Sequence, residues 1–185
     1  MRYAISRYQR VLVLGCCGSG KSTFARRLGA LTGLPVVHLD KLFWKPGWVQ
    51  TAKEEFYANL QKALSEDAWI IDGNYGGSLP LRLGFCDQVV YFDFPRSVCL
   101  WGVLTRVIKN RGKVRPDMGD GCPERLDREF IKYTWNFEKT QGAENRAAVR
   151  TSGKPVVWLC SRRDVRRYLR DLERDEKERV LNDNS

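Results

Sequence analysis

The sequence lacks any pair of cysteines at the C-x-x-C spacing, although it contains six cysteines. That spacing is typical of structural zinc sites, so its absence argues against one. Several of the cysteines lie in apolar stretches, as reduced core cysteines do. Cys16 and Cys17 differ because they precede a predicted helix N-terminus, which can lower a thiol pKa. Small loop residues are the favoured interpretation of this pair, and a redox role is the alternative.

Long apolar runs are also absent. No run approaches the roughly 20 residues of a membrane-spanning helix. The first apolar run, residues 11–14, is shorter than the ~7–15 residues of a signal-peptide core. We therefore expect a cytoplasmic protein without a membrane partner. A length of 185 residues and a hydrophobic fraction of 43% suit one globular domain spanning residues 1–185.

Acidic residues are fewer than basic ones, 22 against 32, which gives a formal net charge of +10. A basic surface attracts anions such as nucleotides, phosphorylated metabolites or nucleic acid, and charge alone does not choose among them. No helix-turn-helix or zinc-finger spelling accompanies the charge.

Residues 15–23 match the pattern G-x-x-x-x-G-K-[ST] of a phosphate-binding loop. Glycines let backbone N–H groups approach phosphate oxygens, and the following helix N-terminus favours an anion. Lys21 is placed to reach the β- and γ-phosphates of a nucleotide, and the Ser22 hydroxyl to ligate Mg²⁺. The candidate ATP-binding residues here are Gly15, Cys16, Cys17, Gly18, Ser19, Gly20, Lys21, Ser22 and Thr23.

Short apolar segments alternate with helical patterns along the chain. The predicted strands cover residues 11–14, 36–40, 68–72, 88–93 and 154–160. This alternation predicts a three-layer α/β/α sandwich with a five-stranded parallel sheet. In the helix that begins near Arg96, we expect Leu100, Leu104 and Ile108 to form the apolar stripe. Residues 140–153 are predicted to be connective, and the tail from residue 173 onward to fray.

Carboxylates end two of the predicted strands, at Asp40 and Asp72. Because ligands of parallel α/β sheets bind at the carboxyl ends of strands, both are candidate substrate-binding residues. Asn74 and Tyr75, in the glycine-rich loop after Asp72, join them as candidates. His38, the only histidine, is interpreted as a packed residue rather than a catalytic one.

A loop with two tryptophans, Trp44 and Trp48, follows Asp40. Aromatic rings beside basic groups can stack on a base or a sugar ring, so both are candidate substrate-binding residues. The alternative is a hydrophobic flap that packs on its own domain, and the sequence does not decide between the two.

A basic, glycine-containing stretch spans residues 109–122, named here the lid segment. Its charges repel one another without a bound anion, so we expect it to be open or poorly ordered in the free protein. We expect it to close over phosphates when ligands bind. The alternative is a static, solvated basic loop.

Taken together, these motifs resemble the P-loop nucleoside and nucleotide kinases of the adenylate-kinase-like group. The resemblance spans nearly the whole chain and rests on residues 15–23, Asp40, residues 72–75, the lid arginines and residues 161–164. More narrowly, the chain is similar to the bacterial DNA topology modulation proteins in residues 39–48, 69–75 and 115–124.

The resemblance implies ATP and Mg²⁺ as cofactors and assigns roles to individual residues. Asp40 would lie near the acceptor and the Mg²⁺ water shell, and Arg82 would hold an anionic group of the acceptor. Arg106 and Arg111, with Arg115, would close on the transferring phosphoryl group. Arg162 would border the adenine. Residues 72–75 lack the Phe-Pro-Arg spelling of adenylate kinases, which argues against AMP as the acceptor.

Three functional hypotheses follow. The first is an ATP- and Mg²⁺-dependent kinase for a small molecule, such as a nucleoside, a nucleotide or a sugar-like compound. The second is an ATP-binding regulator that binds nucleic acid and modulates DNA topology or gene expression. The third is a nucleotide hydrolase without an acceptor. The strand-end carboxylates favour the first.

Overall fold

The computed structural model of the chain describes residues 8–183, with the side chains of all of these except 179, 180, 182 and 183. The strands are β1 (Arg10–Gly15), β2 (Val36–His38), β3 (Trp44–Lys45), β4 (Val49–Gln50), β5 (Trp69–Asp72), β6 (Gln88–Phe92) and β7 (Val156–Leu159). Five of them form a parallel sheet in the order β2-β5-β1-β6-β7, and β3 and β4 form an antiparallel hairpin.

Helices cover both faces of the sheet. They are α1 (Lys21–Thr32), α2 (Leu39–Phe43), α3 (Lys53–Leu64), α4 (Leu79–Phe85), α5 (Arg96–Asn110), α6 (Arg128–Asn136), α7 (Gln141–Thr151) and α8 (Arg162–Asp183). The predicted three-layer fold with five parallel strands is confirmed. Between residues 8 and 183, no helix combines the length and apolarity needed to cross a membrane.

The central strand β1 shows why the sheet is buried on both faces. Val11 and Val13 pack into one core with α1, α5 and α8, whereas Leu12 and Leu14 pack into a second core with α3, α4 and α7. All four side chains are fully buried. An unbroken apolar run is what such a strand requires, because alternate residues face opposite layers. The loop that follows β1 therefore opens at the C-terminal edge of the sheet, beside the loop that follows β5.

Several local predictions are wrong. β2 ends at His38, and Asp40 lies in the first turn of α2 rather than at a strand end. A hairpin replaces the predicted loop around Trp44 and Trp48. Residues 141–151 form α7 instead of a connection, and α8 continues to Asp183 where fraying was expected. In α5 the buried side is Cys99, Val103 and Val107, and the predicted stripe residues Leu104 and Ile108 are exposed.

Candidate functional site

A cavity of about 750 Å³ opens at the C-terminal edge of the sheet. Its wall combines the phosphate-loop region, the start of α2, the hairpin, the loop after β5, one face of α5 and the lid segment. The candidate residues in this wall are Cys17, Gly18, Gly20, Lys21, Ser22, Thr23, Asp40, Trp44, Trp48, Asp72, Asn74, Tyr75, Arg106 and Arg162. One chamber therefore collects residues separated by more than 140 positions in the chain.

The phosphate loop turns directly into α1. Gly18 and Gly20 adopt left-handed backbone angles, with φ of 75° and 96°, which side chains rarely tolerate. No side chain of the described residues caps α1, and its first turn carries no acid. The Lys21 Nζ donates to the Cys16 carbonyl at 2.8 Å. The helix N-terminus thus keeps unpaired N–H donors and a cation, a combination that suits an anion.

Three loop candidates lie behind the cavity wall instead of in it. Gly15 packs so closely on β6 that a Cβ there would lie 2.4 Å from the Phe92 carbonyl oxygen. Its N–H donates to the Asn74 Oδ1 at 3.3 Å. Cys16 and Ser19 are buried, and the Ser19 N–H donates to the Cys16 carbonyl. These residues shape the loop from behind.

The thiols of the phosphate loop are held neutral. Burial raises the pKa of Cys17, and the nearby Lys21 offsets only part of that rise. A hydrogen bond with the Cys99 thiol is the main cause that raises the pKa of Cys16, and burial is the second cause. Both shifts are opposite to the lowering that a nearby helix N-terminus can produce, because burial and the thiol–thiol contact dominate. The pair behaves as small loop residues, as favoured from the sequence.

Asp40 and Tyr75 form a hydrogen-bonded pair in the cavity wall. The Tyr75 hydroxyl donates to the Asp40 Oδ1 at 2.6 Å. Burial raises the pKa of Asp40, while the bond from Tyr75 opposes that rise. Tyr75 has a φ of 33°, an unusual angle for a non-glycine residue. One carboxylate oxygen is therefore held by the protein.

Asp72 is a second carboxylate in the cavity wall. Its Oδ1 is hydrogen-bonded to the Nδ1 of His38, and both side chains are buried. The interpretation of His38 as a packed residue agrees with this contact. Asp72 reaches the cavity wall with one oxygen already engaged.

Arg82 does not line the cavity, so its expected contact with the acceptor is wrong. Its side chain is fully buried, and burial lowers its pKa to about 10. The guanidinium donates to the carbonyl oxygens of Gly73, Asn74 and Tyr75 and to the Ser78 hydroxyl. Its donors are used to hold the loop after β5, which positions Tyr75.

The two tryptophans of the hairpin both line the cavity and pack on their own domain. The rings of Trp44 and Trp48 meet edge to face, with centroids 5.4 Å apart. The Trp48 Nε1 donates to the Pro123 carbonyl at 3.2 Å. A Cβ at Gly119 would lie 2.1 Å from the Trp44 carbonyl oxygen. The hairpin and the lid segment therefore pack closely together, and the expected open lid is not observed.

Ion pairs, not repulsion, organise the basic residues at this side of the cavity. The Glu124 carboxylate forms ion pairs with Arg106 at 3.1 Å and with Arg115 at 2.7 Å, and Arg115 also pairs with Asp117. Arg111, which the resemblance implies would close on the transferring phosphoryl group, is exposed and lies outside the cavity wall in this structure. Arg115, four residues later, occupies the wall in its place.

Some wall residues were not singled out from the sequence. Gly102 and Thr105 line the cavity with Arg106 and Lys109 along one face of α5, and Phe130 and Tyr133 do so from α6. The spacing of three and four residues on α5 is the signal that marks them. Arg162 enters from the start of α8, with its guanidinium 5.8 Å from the Phe94 ring centroid.

No family model matches the sequence, and no curated protein matches it. Solved structures do resemble it. A gluconokinase from Sinorhizobium meliloti has a TM-score of 0.53 at 14% identity, with 94% of this chain and 97% of that chain covered.

Two shikimate kinases give similar values. The enzyme from Acinetobacter baumannii, in complex with shikimate, has a TM-score of 0.52 at 16% identity, with 99% and 98% covered. The enzyme from Bacteroides thetaiotaomicron has a TM-score of 0.51 at 16% identity, with 90% and 97% covered. These likenesses establish the P-loop α/β fold. They do not confirm the narrower resemblance to the DNA topology modulation proteins, and they give no support to the nucleic-acid hypothesis.

Proposed function

We propose that this protein is an ATP- and Mg²⁺-dependent phosphotransferase whose acceptor is a hydroxyl group of a small molecule. The observation that carries the proposal is that a phosphate-binding loop and the Asp40–Tyr75 pair face one cavity. The structural neighbours are named gluconokinase and shikimate kinase, which supports a small-molecule acceptor. The acceptor would be a nucleoside, a nucleotide or a sugar-like compound.

The residues present fit ATP and Mg²⁺. The uncapped N-terminus of α1 and Lys21 would hold the phosphates, and Arg162 would lie beside the nucleotide. Ser22 and Asp40 are the candidate metal residues. The described residues contain no group of three or more His, Cys, Asp and Glu placed to hold a metal. Mg²⁺ would therefore take most of its ligands from phosphates and water, as it usually does, and it would neutralise phosphate charge.

The protein's own residues would mainly position groups and stabilise charge. Tyr75 holds Oδ1 of Asp40, which leaves Oδ2 to accept the proton of the acceptor hydroxyl. The hydroxyl oxygen then bonds to the γ-phosphorus as the bond to the leaving ADP oxygen breaks. Lys21 and Arg106 offset the negative charge on the transferring group. The hairpin and the lid segment limit access of water.

Substitution of Lys21 tests the phosphate site. Lys21→Ala should weaken binding of ATP–Mg²⁺ at least ~10-fold, since a hydrogen bond to a charged group contributes about 1.5–3 kcal/mol. The control is Lys62→Ala, an exposed lysine on α3 outside the cavity wall. Titration calorimetry gives both affinities. Equal ATP affinity in a folded Lys21→Ala protein would contradict the proposal.

A further inference from the structure

We infer that the acceptor is an uncharged, hydroxyl-bearing molecule such as a nucleoside or a sugar, not a nucleotide, a sugar phosphate or a sugar acid. This inference rests on the proposed function, since it concerns the acceptor half of the same cavity. It follows from how the positive charges around Asp40 are already paired.

Few cations act on the acceptor corner, which is the part of the cavity wall formed by Asp40, Asp72, Arg106, Arg115, Asp117 and Glu124. The largely buried cations of the cavity wall are Lys21, Arg106 and Arg115. Lys21 lies in the phosphate loop, where the γ-phosphate would occupy it, and Arg106 is assigned to the transferring phosphoryl group. Arg115 is then the largely buried cation that remains for an anionic acceptor.

Arg115 is not available to a second anion. Its side chain is 12% exposed and pairs with Glu124 at 2.7 Å and with Asp117, whose side chains are 4% and 5% exposed. An acceptor carboxylate or phosphate would have to displace one of these buried partners. A displaced Asp117 would stay buried without its cation, which is strongly unfavourable, whereas Glu124 would keep its ion pair with Arg106.

The balance of charge at the corner also disfavours an anion. The arginines that pair there are Arg106 and Arg115, and they share Glu124. The carboxylates of the corner outnumber these two arginines and are Asp40, Asp72, Asp117 and Glu124. In the described part of the chain, Asp40 and Asp72 contact the Tyr75 hydroxyl and the His38 ring and have no ion pair with an arginine, so both carboxylates disfavour a further anion beside them.

Other cations do not change this balance. Arg82 is buried and donates to carbonyl oxygens of the loop after β5. Arg26, Lys109, Arg125 and Arg162 line the cavity as solvent-exposed side chains. Water and salt screen such exposed charges, so a contact with them adds little.

The same corner suits a neutral polyol or nucleoside. A carboxylate oxygen of Asp40 can accept from a hydroxyl donor, and the Asn74 side chain lies in the same wall. Trp44 and Trp48 present aromatic surface to the cavity, on which a sugar ring or a base can pack. These contacts need no charge on the ligand.

Matched pairs that differ by one anionic group test the inference directly. The probes are uridine and uridine monophosphate, glucitol and gluconate, and methyl shikimate and shikimate, each titrated with a non-hydrolysable ATP analogue and Mg²⁺ present. Wherever a pair binds to the wild-type protein, the neutral member should bind at least ~10-fold more tightly. Tighter binding of the anionic members would overturn the inference.

The variant Asp117→Asn supplies a second, independent measurement. It frees part of the Arg115 guanidinium, so gluconate and shikimate should bind severalfold more tightly than to the wild type. The control is Asp67→Asn, which changes net charge equally at an exposed position outside the cavity wall. If no pair binds to the wild type, the comparison of Asp117→Asn with Asp67→Asn decides alone. Unchanged anion affinity in Asp117→Asn would then contradict the inference.

The ATP analogue titrated by itself reports on the proposed function. If it fails to bind, the phosphotransferase proposal fails, while the comparison between neutral and anionic probes still stands. The two failures are therefore distinguishable in one set of samples.

Discussion

At the scale of single residues, the proposed chemistry depends on the ionised form of Asp40. Burial raises its pKa from the ordinary carboxyl value, and the Tyr75 hydrogen bond limits the rise because it stabilises the charged form. A carboxylate with a raised pKa is a stronger proton acceptor than an ordinary surface carboxylate. Burial therefore favours basicity, and the Tyr75 hydrogen bond favours the ionised form that a base requires.

The variant Tyr75→Phe tests this balance. It removes the bond that favours the carboxylate, so the pKa of Asp40 should rise further. Since the base must be deprotonated, turnover should fall at low pH, and its acid limb should move upward by about 1–2 pH units. The measurement is ADP formation against pH. Tyr57→Phe is the control, because no hydrogen bond joins its hydroxyl to Asp40. An acid limb that stays unchanged in Tyr75→Phe would contradict the role of this hydrogen bond in setting the pKa of the catalytic base.

Arginine positions illustrate what sequence could predict at this scale. The resemblance to P-loop kinases implied that arginines lie near the cavity, and Arg106 and Arg162 do line it. The resemblance carries no information about the partners of each arginine, however. Arg82 donates hydrogen bonds to three carbonyl oxygens of a neighbouring loop, and Arg115 forms ion pairs with two carboxylates. Such roles depend on tertiary contacts and become visible only in the folded chain.

At the scale of elements, predictability follows the strength of the apolar pattern. The strands of the parallel sheet are unbroken apolar runs, so all five were found. α7 is mostly polar, with Val149 its buried apolar residue, and it gives no helical period. The hairpin strands have two residues each, which is too short for any alternation. Packing against neighbours, rather than local pattern, determines these elements.

The contact between the phosphate loop and α5 gives a prediction at this scale. A Cβ at Gly102 would lie 2.0 Å from the Gly18 carbonyl oxygen, so Gly102→Ala must push α5 away from the loop. We expect a loss of about 1–3 kcal/mol in unfolding free energy and at least ~10-fold weaker ATP binding. Chemical denaturation and calorimetry measure the two effects.

Gly84→Ala is the matched control for that helix glycine. It lies in α4 with no atom within 4 Å of a built Cβ. The substitution should stabilise the protein by about 0.5–1 kcal/mol through the lower entropy of the unfolded chain, with unchanged ATP binding. Identical behaviour of the two alanine variants would contradict the proposed role of the Gly18–Gly102 contact.

At the scale of the whole molecule, the charge distribution is uneven. The chain carries a net charge of +10, yet paired arginines and several carboxylates surround the acceptor corner. A basic exterior raises the local concentration of nucleotides, whereas the corner itself favours a neutral partner. The sequence predicted the first property from composition. The second depends on ion pairs between the lid segment and Glu124, which composition does not reveal.

The most direct measurement of the central claim follows the γ-phosphoryl group itself. The wild-type protein and Asp40→Asn are incubated with γ-labelled ATP, Mg²⁺ and a fractionated mixture of small metabolites, and labelled products are separated. We expect label on an organic acceptor with the wild type, and strongly reduced transfer by Asp40→Asn at near-normal ATP affinity. Label found solely in inorganic phosphate, at equal rates for both proteins, would contradict phosphoryl transfer to an acceptor and favour a nucleotide hydrolase.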